Sequence, residues 1–186
     1  MSNNYIIKKL SNRDKDILNK ILRQFSNNPY MVPTTYERGN PSKAVYQNYS
    51  WKTGSIRQKN ARQGIFGYSR VIASNPTEQT NITKTNPQMM KLFKLFIKSH
   101  KHNFKYNSVN VDIDVVKKKH RANRGKDTNN LVVSFGAFIG GLLVLEDGMG
   151  RERRFDTKIN SVEFNAFDTI QSSEKFQGKK YTLTFF

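Results

Sequence analysis

Three histidines, His100, His102 and His120, are the only imidazoles of a 186-residue chain that has no cysteine. Without thiols there is no disulfide framework, no cysteine nucleophile and no zinc site built on thiolates, and a reducing compartment is the matching setting. His100 and His102 follow a helical segment and are expected at the surface. His120 stands in KKKHRANRGK, where it reads as a solvated member of a basic loop or as a metal ligand. A serine hydrolase needs a nucleophile with a positioned histidine base, and no serine has the glycine spacing of a strand-to-helix elbow. The phosphate-cradling pattern GxxxxGK[ST] is missing, and Gly148 with Gly150 is a lone pair after an acidic turn. With 14 acidic residues, mostly scattered, paired carboxylates for acid and base catalysis have little to build on.

Positive charge is what the chain has in excess. Thirty-two Lys and Arg against 14 Asp and Glu give a net charge of +18, far beyond the magnitude of about 2 to 8 that solubility asks of a small domain. Such an excess repels itself unless a polyanion screens it. The charge is clustered: Lys117, Lys118, Lys119, Arg121, Arg124 and Lys126 fall in one run, and Arg151, Arg153 and Arg154 follow a turn at 147–150. Arg57, Lys59 and Arg62 add a third basic stretch near Trp51 and Phe66. The first two clusters are the candidate polyanion-binding residues. Basic side chains neutralise phosphates while neighbouring rings stack on unpaired bases. No recognition helix or RNA-binding signature accompanies them, so contact with nucleic acid is expected to be with phosphates and only weakly sequence-dependent. An acidic protein surface, such as another subunit of a large assembly, is the alternative partner.

These residues must be positioned by a fold. Ile17, Leu18, Ile21, Leu22 and Phe25 recur at helical spacing, with Ser11 and Asp14 placed as cap and first-turn acid. Residues 26–63 are polar and rich in Asn, Ser, Pro and basic side chains, which predicts loops, short strands and an extended arm. A second helix is expected from Asn86 and Pro87 through Ile97, with Lys91, Lys94 and Lys98 facing water. The period then changes to two. Val109, Val111, Ile113 and Val115 alternate with Asn110, Asp112 and Asp114, and runs at 131–135 and 142–145 are apolar on both faces. Further strands are expected around 158–164 and 180–186, with Tyr181, Leu183 and Phe185 on one side. This predicts an α+β, mainly β protein: a jelly-roll-like core with N-terminal helices packed outside, divided into residues 1–63 and 64–186. The uncharged stretch at 131–145 is shorter than a membrane span needs and is read as two strands joined by a turn. MSNNYIIKKL lacks the pattern of a secretory signal, so an intracellular protein, cytoplasmic, nuclear or packaged in a virion, is expected.

The order of FIKSHKHNFKY, NSVNVDIDVV, the His120 loop, VVSFGAFIGGLLVLEDG, FNAFDTIQSSEKFQG and KKYTLTFF resembles the 2-oxoglutarate and iron(II)-dependent dioxygenases, in particular small versions from large DNA viruses and algae. The resemblance covers about 64–186. It implies a double-stranded β-helix and, in an active member, iron(II) held by two histidines and a carboxylate, with open positions for 2-oxoglutarate and oxygen. The first histidine and carboxylate of that pattern fall on His120, Arg121 and Ala122, where alanine has no donor atom unless Asp127 takes its place; Asp112 and Asp114 are competing carboxylates. The second histidine position falls on Gln171, Ser172 and Ser173, and no histidine follows His120. The basic residue that meets the far carboxylate of 2-oxoglutarate corresponds to Lys180, or to Lys179; Lys180 also reads as a solvent-facing strand residue. The resemblance thus implies a metal motif in decay: a catalytically silent relative, without cofactor, reused as a basic binding or structural protein. A hydroxylase of protein or nucleic acid with an atypical site, using Fe(II) and 2-oxoglutarate, is the alternative.

Overall fold

A Ser-x-x-Asp capping box starts the first helix. Ser11 Oγ accepts from Asp14 N at 3.1 Å and Asp14 Oδ2 accepts from Ser11 N at 2.9 Å, satisfying two N–H groups that a helix start otherwise leaves orphaned. The computed structural model describes residues 5–33, 55–56, 61–68, 79–121 and 129–186. Along these residues the order is β1 (Tyr5–Lys9), α1 (Asn12–Asn27), β2 (Ser55–Ile56), β3 (Arg62–Gly67), α2 (Asn81–Thr85) and α3 (Pro87–His100). Strands follow: β4 (Ser108–Ile113), β5 (Val116–Lys117), β6 (Asn129–Phe135), β7 (Phe138–Gly140) and β8 (Leu143–Glu146). The chain continues with β9 (Glu152–Phe155), β10 (Asn160–Asn165), β11 (Ile170–Ser173), β12 (Phe176–Gly178) and β13 (Tyr181–Phe185).

The major sheet has six antiparallel strands in the order β1-β10-β6-β13-β4-β3. A second layer contains β11-β8-β9, extended through the backbone bridge between His120 and Gln171 toward β5 and its partner β2. β7 and β12 pair with each other at one end. Their approach is close: a Cβ on Gly178, whose φ is +95°, would lie 2.2 Å from the carbonyl oxygen of Ala137.

Side-chain alternation assigns each face of the major sheet. Val109, Val111, Leu131, Val133, Leu183 and Phe185 point outward against Ile17, Ile21 and Phe25 of α1 and Met89, Phe93 and Phe96 of α3, forming the larger core. Val132, Val162 and Phe164 point inward against Leu143, Leu145 and Phe155 of the second layer. Each large side chain fully buried in this way contributes about 1.5 to 3 kcal/mol. The alternation of β4 is the one read from sequence, but its polar face is turned into the space between the layers, so Asn110 and Asp112 are buried. The stretch 131–145 forms β6, β7 and β8 rather than two strands. No helix among the described residues is long and apolar enough to cross a membrane.

Three features depart from the sequence expectation. β1 was not expected; it pairs with β10 in a register that sets Tyr5 opposite Phe164 and Lys9 opposite Asn160. α2, capped by Thr80, precedes the second helix, and Asn86 closes α2 with its side-chain amide donated to Ile82 O at 3.0 Å instead of capping α3. His100 is not a surface residue: it is 1% exposed, its ring stacked on Phe96 and its two nitrogens on Asp14 and Ser161. Most of the polar arm, including Trp51, Arg57 and Lys59, lies outside the described residues, as do Ala122, Arg124, Lys126 and Asp127.

Candidate functional site

Between the two layers lies a cavity of about 30 Å³ bounded by Asp112, Lys117, Gln171, Ser173, Lys180 and Thr182 among others. That is space on the scale of one or two water molecules. Backbone geometry decides which lysine enters it. Asp114, left-handed at φ 55°, accepts Lys180 N with Oδ1 at 2.9 Å and pairs with Lys179 Nζ through Oδ2 at 2.6 Å. Lys179 is thereby held outside and Lys180 is sent in.

Lys180 is 4% exposed and donates from Nζ to Gly141 O at 2.5 Å, with the rings of Phe138 and Phe176 centred 5.3 and 5.4 Å away. It is therefore not a solvent-facing strand residue. Burial is the main influence on the amine and Lys117 adds to it, while Asp112 opposes; the result is a pKa pulled down to about 8. Asp112 is itself committed, pairing with Lys117 Nζ at 2.5 Å through Oδ2 and accepting from Gln63 Nε2 at 2.8 Å through Oδ1.

His120 and Gln171 exchange backbone hydrogen bonds, N to O at 3.0 and 2.9 Å. The imidazole Nδ1 donates to Lys118 O at 2.8 Å. So the position where the dioxygenase pattern needs its second histidine does face the first, and it carries a neutral amide. Ser173 Oγ, the other oxygen nearby, accepts Lys117 N at 2.9 Å. Neutral amide and hydroxyl oxygens are poor substitutes for imidazole and carboxylate at iron(II), and no group of three or more His, Asp or Glu able to hold a metal occurs among the described residues. The side chains among the described residues do not fit a two-histidine, one-carboxylate iron site. Nor does a cavity of 30 Å³ match the roughly 300 to 1,000 Å³ of small-molecule sites.

Lys119 links the first basic cluster to the second at the rim of the second layer. Lys119 Nζ pairs at 2.6 Å with both Glu146 of β8 and Glu152 of β9, joining the run after β5 to the β8–β9 hairpin. On that hairpin Arg151 pairs with Asp147 at 2.8 Å, and Arg154 pairs with Glu152 at 3.2 Å and Glu174 at 2.8 Å. Arg153 lies over the Tyr5 ring, 5.4 Å from its centroid, and donates to the Tyr5 hydroxyl. Lys118 and Arg121 are exposed. The third stretch contributes Arg62, which donates to Val32 O at 2.9 Å and lies over the Tyr30 ring. The carboxylates that reach these cations are only partly exposed, whereas the cations Lys119, Arg151 and Arg154 are exposed, and ion pairs open to water on one side contribute little to stability.

No protein-family model matches the chain, and no curated protein matches it significantly. Its structure is similar to a prolyl-4-hydroxylase from Pseudomonas putida, with a TM-score of 0.53 at 10% identity over 99% of this chain and 92% of that one. It is also similar to a prolyl hydroxylase from Trichoplax adhaerens in complex with a hypoxia inducible factor peptide, with a TM-score of 0.57 at 12% identity over 100% and 84%. A third structure, OsALKBH1, gives 0.50 at 9% identity over 100% and 98%. Likeness at such identities speaks of architecture, and with the two facing layers described above it makes the chain a mainly β double-stranded β-helix with its N-terminal helices packed outside.

Proposed function

We propose that this chain uses the double-stranded β-helix as a basic binding protein: it holds the phosphates of nucleic acid on the rim formed by Lys118, Lys119, Arg121, Arg151, Arg153 and Arg154, and it does not act as an iron oxygenase. The observation that carries the reading is the net charge of +18 on a chain of 186 residues, part of it gathered where Lys119 ties two basic segments together. The neutral side chain of Gln171 opposite His120 supports the second half of the proposal. A structural place in a large assembly, such as a virion, is the setting in which such a surface meets nucleic acid or an acidic neighbour.

Binding to mixed-sequence DNA and RNA at 50 and 200 mM salt tests this. Contact with about five phosphates loses roughly 500-fold in affinity over that range. Charge reversal at Lys118, Arg121 and Arg153 weakens binding to every sequence alike. Affinity that ignores salt, or that survives the reversal, rejects the rim as the site. A stoichiometric complex with an acidic protein that resists nuclease points to the protein partner instead.

One observation favours the second reading, a 2-oxoglutarate and Fe(II)-dependent hydroxylase with an atypical site. Lys180 places a buried amine inside the barrel at the position the dioxygenase pattern reserves for the 2-oxoglutarate carboxylate. Near-stoichiometric iron in chelator-free protein together with succinate release from 2-oxoglutarate establishes that reading.

A further inference from the structure

On the outer face of the major sheet, where α3 ends over β10, three side chains form a hydrogen-bonded chain that the basic surface does not use. Asp14 Oδ2 lies 2.8 Å from His100 Nδ1, and His100 Nε2 lies 2.6 Å from Ser161 Oγ. Each of the three residues is at most 2% exposed. The carboxylate is fixed by Ser11 N, donating to Oδ2 at 2.9 Å, and by Ser99 Oγ, donating to Oδ1 at 2.8 Å.

The proton positions follow from the partners. Burial raises the pKa of Asp14, but the hydrogen bonds from His100, Ser11 and Ser99 outweigh it and hold the carboxyl below its ordinary range. An ionised carboxylate only accepts, so Nδ1 carries the imidazole proton and Nε2 turns its lone pair to the Ser161 hydroxyl. Burial is also the largest influence on His100 and moves its pKa below 6.5; Asp14 opposes this, while Lys8 and Lys101 reinforce it. The imidazole is thus neutral at pH 7, as a proton acceptor must be. Nucleophile, base and orienting acid stand in sequence, the geometry that defines an activated serine whatever the fold.

A cavity of about 240 Å³ adjoins Ser161, bounded by Ile6, Lys8, Lys101, Leu131 and Glu163. Ile6 and Leu131 make part of its wall apolar. Lys8 Nζ donates to His100 O and Lys101 Nζ pairs with Glu163, so two ammonium groups border the same space. Ser161 is among the residues that bound this space, which has room for a molecule of fragment size.

We propose that Ser161 is an activated nucleophile, oriented by His100 and Asp14, that reacts with small acyl esters held in this cavity. Ser161 Oγ forms a bond to the ester carbonyl carbon while its proton passes to His100 Nε2. The alkoxide departs with that proton as the ester C–O bond breaks, leaving an acyl-serine. Water then gives a proton to the same nitrogen as its oxygen bonds to the acyl carbon, and the acyl–serine bond breaks with that proton passing from His100 Nε2 to Ser161 Oγ, releasing the carboxylic acid and restoring the relay. Lys8 and Lys101 are the groups placed to offset negative charge on the carbonyl oxygen.

The test uses the full chain with p-nitrophenyl acetate and a fluorophosphonate probe, read by intact mass and peptide mapping. One adduct on Ser161 is expected, absent in Ser161→Ala and formed about 100-fold more slowly or worse in His100→Gln. Because His100→Gln removes a buried partner of Asp14, the wild-type protein supplies an independent readout. Its labelling rate rises with pH through a midpoint below 6.5, set by His100 against Asp14 from α1, Lys8 from β1, Glu163 from β10 and Lys101 beyond α3. No adduct on Ser161, adducts confined to surface lysines, or Ser161 labelling that is independent of pH overturns the proposal and leaves the relay as a bolt between helix and sheet.

Discussion

Replacing Lys180 by Met removes one charge from the interior of the barrel while keeping most of the side-chain volume, and the consequence can be worked from the titration of the amine. In the unfolded chain the group titrates at its ordinary 10.5; in the folded protein it does so at about 8. Between those values the unfolded state binds more protons, so the lysine's contribution makes stability rise with pH across that window. At pH 7 the buried ammonium opposes folding by about 3 kcal/mol, and at pH 9.5 by a little over 1 kcal/mol, at 1.36 kcal/mol per unit. The wild type should therefore gain about 2 kcal/mol relative to Lys180→Met between pH 7 and pH 9.5. Urea unfolding of both proteins at the two pH values measures this directly, since ionisations shared by the two cancel in the difference. A difference that does not change with pH refutes the argument and puts Lys180 Nζ in contact with water.

Other consequences are equally open to measurement. Gly178→Ala forces a side chain onto a backbone with φ +95° and a Cβ to 2.2 Å from Ala137 O, and a loss of about 2 kcal/mol or more in urea unfolding is expected. Ser11→Ala breaks the capping box and costs about 1 kcal/mol by the same assay. His100, whose folded pKa lies below the ordinary 6.5, contributes stability that is complete above about pH 6.5 and is lost as pH falls from there toward its folded pKa. Thermal unfolding of the wild type should show that fall, and His100→Gln should flatten it. Phe93, fully buried between α3 and the sheet, should cost about 3 to 5 kcal/mol when cut to Ala.

Much of the fold was legible because period and capping are local signals. The Ser11 and Asp14 pair announced α1, and alternation announced β4 and β13 with the correct residues on each face. What alternation cannot say is what covers the polar face. Asn110 and Asp112 look like solvent-facing residues in a string and are buried because a second layer lies over them. β1 was hidden for a related reason: at the edge of the sheet it leaves Ile6 and Ile7 about half exposed, so its pattern resembles a polar terminus. The inward turn of Lys180 depends on the left-handed Asp114, a residue remote in sequence. The Asp14, His100 and Ser161 relay was likewise invisible. It is assembled from a helix start, a helix end and a strand, and the only local clue was an N-terminal acid already accounted for by its capping role.

The place of β13 governs how the molecule can be made. This strand, the last in the order, is the one inserted between β6 and β4, bonded to both along its length. While synthesis is still short of Tyr181, the major sheet exists only as two halves with bare facing edges, each a template for pairing with another chain. Closure of the major sheet must therefore wait until β13 has been made, and until then the nascent chain depends on whatever shields those two edges.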